Sequence, residues 1–149
     1  MTGVIFTPLA RIAVAGGDVL HALRRSDPAF AGFGEAYFST IEAGAVKGWR
    51  RHFRMVMNLI VPVGAVRFAV FDEKVSGGGA EQIKVFDLAE ARESYGRLTV
   101  QPGIWLAFQG VGPHTNLVLN LANIEHDPAE SETRAIDTFP GNWLLRTEG

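Results

Sequence analysis

Short apolar runs broken by glycine, proline and small polar residues dominate the chain, and many alternate with a period of two. That pattern predicts strands, because successive side chains of a strand point to opposite faces. Strands are expected over residues 34–40, 46–62, 65–71, 83–88, 98–100, 104–108 and 116–124, with turns at Val63-Gly64 and Pro102-Gly103. Residues 19–25 predict a short N-terminal helix, with Asp18 as N-cap and Asp27-Pro28 as its end. Residues 72–79, which include Ser76-Gly77-Gly78-Gly79, read as a mobile loop between strands, and residues 126–132 as a polar turn. Many short strands joined by Gly/Pro turns indicate an all-β sandwich or barrel.

At 149 residues the chain has the size of one domain, and nothing in it reads as an interdomain linker. Its 14 Lys and Arg against 16 Asp and Glu give a net charge of −2, so no bulk attraction to nucleic acid or an acidic membrane is expected. With no cysteine there is no disulfide, thiolate metal site or cysteine nucleophile, a composition that suits the cytoplasm. No apolar run approaches the roughly 20 residues that cross a bilayer. The apolar stretch 1–15 lacks a basic leader and is expected to be folded chain, not a signal peptide.

Three stretches carry candidate chemistry. In Lys47-Gly48-Trp49-Arg50-Arg51-His52-Phe53-Arg54, strict alternation puts Arg50, His52, Arg54 and, further on, Asn58 on one face. Lys47, Trp49, Arg51, Phe53 and Met55 share the other. Cations gathered on one face suit a phosphate or diphosphate, which Arg matches with paired hydrogen bonds; a solvated strand face is the plainer alternative. Around Pro102-Gly103, a tight turn enters an aromatic strand in which Gln109 shares a face with Trp105. In residues 116–124, Asn116, Val118, Asn120 and Ala122 share a face, and two Asn on an apolar strand hint at a polar cavity. His126-Asp127-Pro128 reads first as a turn.

With these residues placed, the chain resembles a cupin. Gly44, Arg50, His52, Met57 and Gly64 fall at the positions of the first cupin motif, and Gln101, Gly103, Leu106 and Gly110 at those of the second. Only His52 keeps a metal-ligand position, so no metal and no other cofactor is expected: one His beside a permanent cation and two apolar residues is no ligand set. Among cupins the chain resembles the dTDP-4-dehydrorhamnose 3,5-epimerase group and its 3,4-ketoisomerase relatives. The matching stretches are 32–39, 44–49, 58–64, 102–105 and 126–130.

The resemblance implies a cupin jelly-roll barrel, the double-stranded β-helix, as a single domain over residues 1–149. It implies a homodimer and a nucleotide-diphosphate sugar as partner. It also implies metal-free proton abstraction next to the C4 keto group of a deoxysugar. The family's base falls on Arg50, which cannot accept a proton near neutral pH. Its catalytic Tyr falls near Glu125 and His126. The catalytic candidates are therefore His52 and His126, and the substrate-binding candidates are Glu35, Lys47, Arg50, Arg54, Asn58, Gln109 and Asn120. The alternative is a nucleotide-sugar-binding cupin that has lost the epimerase base.

Overall fold

The computed structural model describes residues 3–75 and 82–146. The glycine run at 77–79 therefore lies outside the described residues. Among those described, twelve strands follow one another: β1 (Val4–Pro8), β2 (Arg11–Ile12), β3 (Val19–Leu20), β4 (Glu35–Ile41), β5 (Val46–His52), β6 (Met57–Val63), β7 (Ala65–Phe71), β8 (Lys84–Ala89), β9 (Gly96–Val100), β10 (Trp105–Gly110), β11 (Asn116–Ala122) and β12 (Ser131–Arg134). Ten of them build two five-stranded antiparallel sheets, ordered β1-β9-β6-β11-β4 and β12-β5-β10-β7-β8. The inner faces meet over a core that includes Met57, Leu59, Phe68, Leu98, Leu106 and Val118. This is the cupin barrel, and its strands alternate because one side chain in two enters the core.

The expected N-terminal helix is absent. Val19 and Leu20 pair with Ile12 and Arg11 as a small hairpin, and the Asp18 carboxylate accepts from Arg11 Nε at 2.9 Å instead of capping a helix. The apolar stretch 46–62 is two strands, not one. The chain breaks after His52, where Glu130 Oε2 accepts the backbone N–H groups of Arg54 (2.7 Å) and Met55 (2.9 Å). Asn123 Oδ1 then accepts the N–H of Val56. Carboxylate and amide side chains thus satisfy donors that a continuous strand would have paired.

A bulge in β5 sets the register of the site. Leu106 pairs with Arg50 and Phe108 with Lys47, so two residues of β5, Gly48 and Trp49, oppose Ala107. One extra residue flips the alternation. Lys47 and Arg50, three apart, consequently share the inner face. Trp49 and Arg51 turn outward, where Trp49 joins Trp105, Phe71 and Trp143 in a second apolar cluster. The C-terminal segment is strapped over that outer face by Trp49 Nε1 donating to the Ile136 carbonyl and by Gln109, which bonds both backbone groups of Leu145.

Candidate active site

The barrel opens on a cavity of about 550 Å³. Its walls come from both sheets: Tyr37 and Ser39 on β4, Met57 and Leu59 on β6 and Val118 and Asn120 on β11 face Lys47, Arg50 and His52 on β5 and Leu106 and Phe108 on β10. Met57, Leu59, Leu106, Phe108 and Val118 supply apolar wall between the polar side chains, a mixed lining of the kind that holds small molecules.

His52 is 4% exposed and Glu130 3%. The His52 Nδ1 lies 2.6 Å from Glu130 Oε1. Burial pushes the Glu130 carboxyl up, but the hydrogen bond from His52, those from the backbone of Arg54 and Met55, and the His52 charge together hold it below the usual carboxylate value. An ionised Glu130 accepts from Nδ1–H, which fixes the tautomer and leaves Nε2 as the basic nitrogen. The sequence stretch 126–130 pointed to this loop, and the residue in it that bonds His52 is Glu130, not His126. Glu130 sits in the 3₁₀ turn Pro128–Glu130, which Asp127 caps by accepting from the N–H of Ala129, just before β12 pairs Ser131 with His52.

Across the lumen, Asn120 is buried and its orientation is fixed. Its Oδ1 accepts the Asn58 N–H at 3.1 Å, so its Nδ2 faces the Tyr37 hydroxyl, 2.9 Å away. An amide nitrogen only donates, so the Tyr37 oxygen accepts and its own proton is free for another partner. Tyr37 was visible in the sequence only as one aromatic residue of a strand; its pairing opposite Asn120 places it.

Two cations face the same space. Lys47 Nζ donates to the Thr40 carbonyl at 2.8 Å and lies 5.7 Å from the centre of the Phe108 ring. Arg50 has no hydrogen-bond or ion-pair partner among the described residues and lines the cavity.

Four expected site residues lie elsewhere, and a fifth sits behind the wall. Arg54 follows the break after β5; its side chain is 65% exposed and faces Asp127 at 3.6 Å. Gln109 points to the outer face because Leu106 and Phe108 take the inner one, and its amide holds Leu145. Glu35 accepts the backbone N–H of His126 at 2.9 Å and does not line the cavity. His126 itself is exposed on that loop, away from the lining residues. Asn58 is buried behind Met57 and Leu59, where its Oδ1 accepts from Thr99 Oγ1 at 2.6 Å. His52, Lys47, Arg50 and Asn120 are brought together. Among the described residues no group of three His, Cys, Asp or Glu side chains is placed to hold a metal ion.

The cupin barrel thus defines a small-molecule site in which His52, bonded to the buried Glu130, faces Tyr37 across a lumen that Arg50 also lines. Solved structures give the family. The chain is 33% identical to a dTDP sugar isomerase from Desulfovibrio desulfuricans G20, with a TM-score of 0.88 over 98% of this chain and 94% of that one. The chain belongs to the dTDP-sugar isomerase family. It shares its fold with the sugar 3,4-ketoisomerase QdtA from Thermoanaerobacterium thermosaccharolyticum, solved in complex with TDP (17% identity, TM-score 0.72, 89% of this chain and 88% of that one). The same holds for ChmJ, a 3′-monoepimerase from Streptomyces bikiniensis solved with dTDP-quinovose (14%, TM-score 0.74, 88% and 69%). No protein-family model and no curated sequence matches the chain.

Proposed function

We propose that this protein, as a single cupin domain, is an isomerase or epimerase of a dTDP-linked 4-keto-6-deoxy sugar. The observation that carries the reading is the buried His52–Glu130 pair opening onto the same cavity as an unpaired Arg50. His52 Nε2 removes the proton from the carbon next to the keto group, while Glu130 stabilises the imidazolium that forms. The electrons move onto the keto oxygen, and Arg50 or Lys47 supplies the positive charge an enolate needs. Tyr37, which lines the cavity from the opposite sheet, is the donor this reading assigns to the other face of the sugar, where protonation inverts the carbon. Return of the proton from His52 to the former carbonyl carbon, with the proton of the adjacent hydroxyl passing to the enolate oxygen, would instead move the keto group. The apolar walls from Met57, Leu59, Leu106 and Val118 suit a sugar that carries a methyl group in place of a hydroxymethyl.

Deuterium wash-in from D₂O into dTDP-4-keto-6-deoxyglucose tests the chemistry, because exchange reports proton abstraction even without net turnover. The Arg50→Ala variant should bind that sugar nucleotide more weakly by about 1.5–3 kcal/mol, the worth of a charged hydrogen bond. Binding without exchange would favour the non-catalytic alternative; unaltered binding by Arg50→Ala would remove the anion role from residue 50.

The same reading includes a homodimer in the cytoplasm. The cysteine-free composition supports the compartment, and no helix among the described residues is long and apolar enough to cross a membrane. An uncovered apolar strip supports the dimer: Phe38, 64% exposed on edge strand β4, lies beside the half-buried Leu117, Leu119 and Leu121 of β11. A monomeric mass by light scattering at micromolar concentration would contradict it.

A further inference from the structure

The sheet that carries Tyr37 and Asn120 has a second polar site on its outer face. In β9, Leu98 and Val100 enter the core, so Arg97 and Thr99 point the other way. Arg97 is covered by the segment 21–27 and only 1% exposed. Its Nη1 donates to the Ala22 carbonyl at 2.7 Å and reaches Asp27 Oδ2 at 3.3 Å. Its Nε is buried with no hydrogen-bond partner. Beside it lies a chamber of about 180 Å³ whose lining includes Thr7, His21, Arg24, Asp27 and Arg97.

A buried guanidinium carries five N–H donors, and both hydrogen bonds of Arg97 leave from Nη1, so donor capacity remains unused on a residue that lines the chamber. One water takes up roughly 30 Å³ of liquid volume, so the chamber has room for something several times larger. Its charge is unbalanced. Arg24 and Arg97 line it against one carboxylate, Asp27, whose Oδ2 already receives Arg97 Nη1 and the backbone N–H of Arg24 (2.8 Å). The Arg24 Nη2 lies 3.2 Å from His21 Nδ1. A guanidinium only donates, so Nδ1 accepts there and the other ring nitrogen of His21 carries a proton as a further donor. Two guanidinium groups and a ring N–H thus line the opening against a single carboxylate.

We propose that this chamber binds a small tetrahedral oxyanion of the phosphate class. It is separate from the barrel cavity and lies on the reverse side of the sheet. The anion accepts from the Arg97 guanidinium and draws the Arg24 side chain toward it. Its source is either the free ion or the head of a phosphomonoester, and the chemistry recognised is the same.

Calorimetric titration with sodium phosphate, against sodium chloride at equal ionic strength, tests the site in the full-length protein. A second titration uses thymidine monophosphate. Arg50→Ala removes the barrel-cavity cation, Arg97→Lys keeps the charge but loses the fork, and the surface substitution Arg24→Ala leaves the buried pair in place. One phosphate should bind to wild type and to Arg50→Ala alike, and affinity should fall at least roughly tenfold in Arg24→Ala and in Arg97→Lys. If Arg97→Lys fails to fold, Arg24→Ala carries the test alone. Phosphate bound by Arg50→Ala, with no binding of the monophosphate there, identifies the free ion; a monophosphate that binds there and is displaced by phosphate identifies an ester head. Absence of any phosphate-specific heat in wild type overturns the proposal. So does a heat that is lost in Arg50→Ala and kept in Arg24→Ala, which would place the anion in the barrel.

Discussion

The His52 Nδ1 and the Glu130 carboxylate lie 2.6 Å apart, both shielded from solvent, although 78 positions separate them in the chain. The strand pairing of Ser131 with His52 brings them together, and the other oxygen of Glu130 is held by two backbone N–H groups. The carboxylate therefore cannot swing away from the ring. If His52 is the base, His52→Asn should abolish deuterium exchange into the sugar while leaving nucleotide-sugar binding near wild type. Glu130→Gln should keep binding and slow exchange by roughly 10²-fold or more, within the usual worth of general-base catalysis. Full exchange in His52→Asn would move the proton to another group.

The same pair makes a statement about acid stability. Glu130 titrates below its ordinary value of 4.5 in the folded chain. Between the folded and the ordinary pKa the unfolded chain thus binds more protons than the folded one, and stability falls as pH falls. The contribution is complete above about pH 4.5 and is lost as pH drops through the folded value. Glu73 acts in the same direction: its hydrogen bond from Trp105 and the charges of Arg134 and Arg51 outweigh its desolvation. Urea unfolding followed from pH 7 down to pH 3 should show stability declining below about pH 4.5, and Glu130→Gln should flatten that decline. An equally steep decline in Glu130→Gln would mean that other carboxylates dominate.

Tyr37 and His52 stand on opposite sheets and line one cavity, so the proposed reaction assigns proton removal and proton delivery to different walls. Tyr37→Phe deletes the hydroxyl that Asn120 orients. If Tyr37 delivers the proton that inverts carbon, the variant should still wash deuterium into the substrate while product of inverted configuration falls by roughly 10²-fold or more. Proton NMR of the sugar ring reads both. Parallel loss of exchange and inversion would mean that Tyr37 positions substrate or supports the enolate.

The architecture was legible because short apolar runs between turn residues are a local pattern: β11 alternates closely, while β6, β7 and β10 are near-continuous apolar runs buried on both faces. The site was legible only where alternation survived. His52 and Arg50 lie on the face that their spacing implies. The β5 bulge then brings Lys47 across to join them, and no local signal marks it. The same counting, carried through the break after His52, put Arg54 and Asn58 in the lumen when a carboxylate 76 positions away had ended the strand. Gln109 went astray because its face was right but the covering strap was unseen. Glu130 and Tyr37 were missed because their significance comes from cross-strand partners, and an isolated Glu or Tyr carries no spacing that reveals them.

Gly34 joins fold and site most tightly. It enters β4 against the chain leaving β11, with its N–H donating to the Ala122 carbonyl at 2.8 Å. A Cβ built there would lie 2.2 Å from the carbonyl carbon, 2.3 Å from the Cα and 2.5 Å from the nitrogen of Ile124. All three are backbone atoms, so no rotamer change can relieve the clash; the strands must part. Parting them strains the β4–β11 pairing that sets Tyr37 opposite Asn120, and the neighbouring bond from the His126 N–H to Glu35. Gly34→Ala should therefore destabilise the fold by about 1–3 kcal/mol, the usual range for overpacking. At this chain length that lowers Tm by roughly 2–4 °C per kcal/mol. Gly103 is the control. Its φ of +89° makes Ala strained there as well, yet nothing lies within 4 Å of its Cβ position, so Gly103→Ala should lose stability without disturbing Tyr37. The aromatic side-chain NMR signals of Tyr37 should shift in Gly34→Ala and stay in place in Gly103→Ala. Equal Tm and unshifted Tyr37 signals in Gly34→Ala would show that β4 and β11 can separate there without cost.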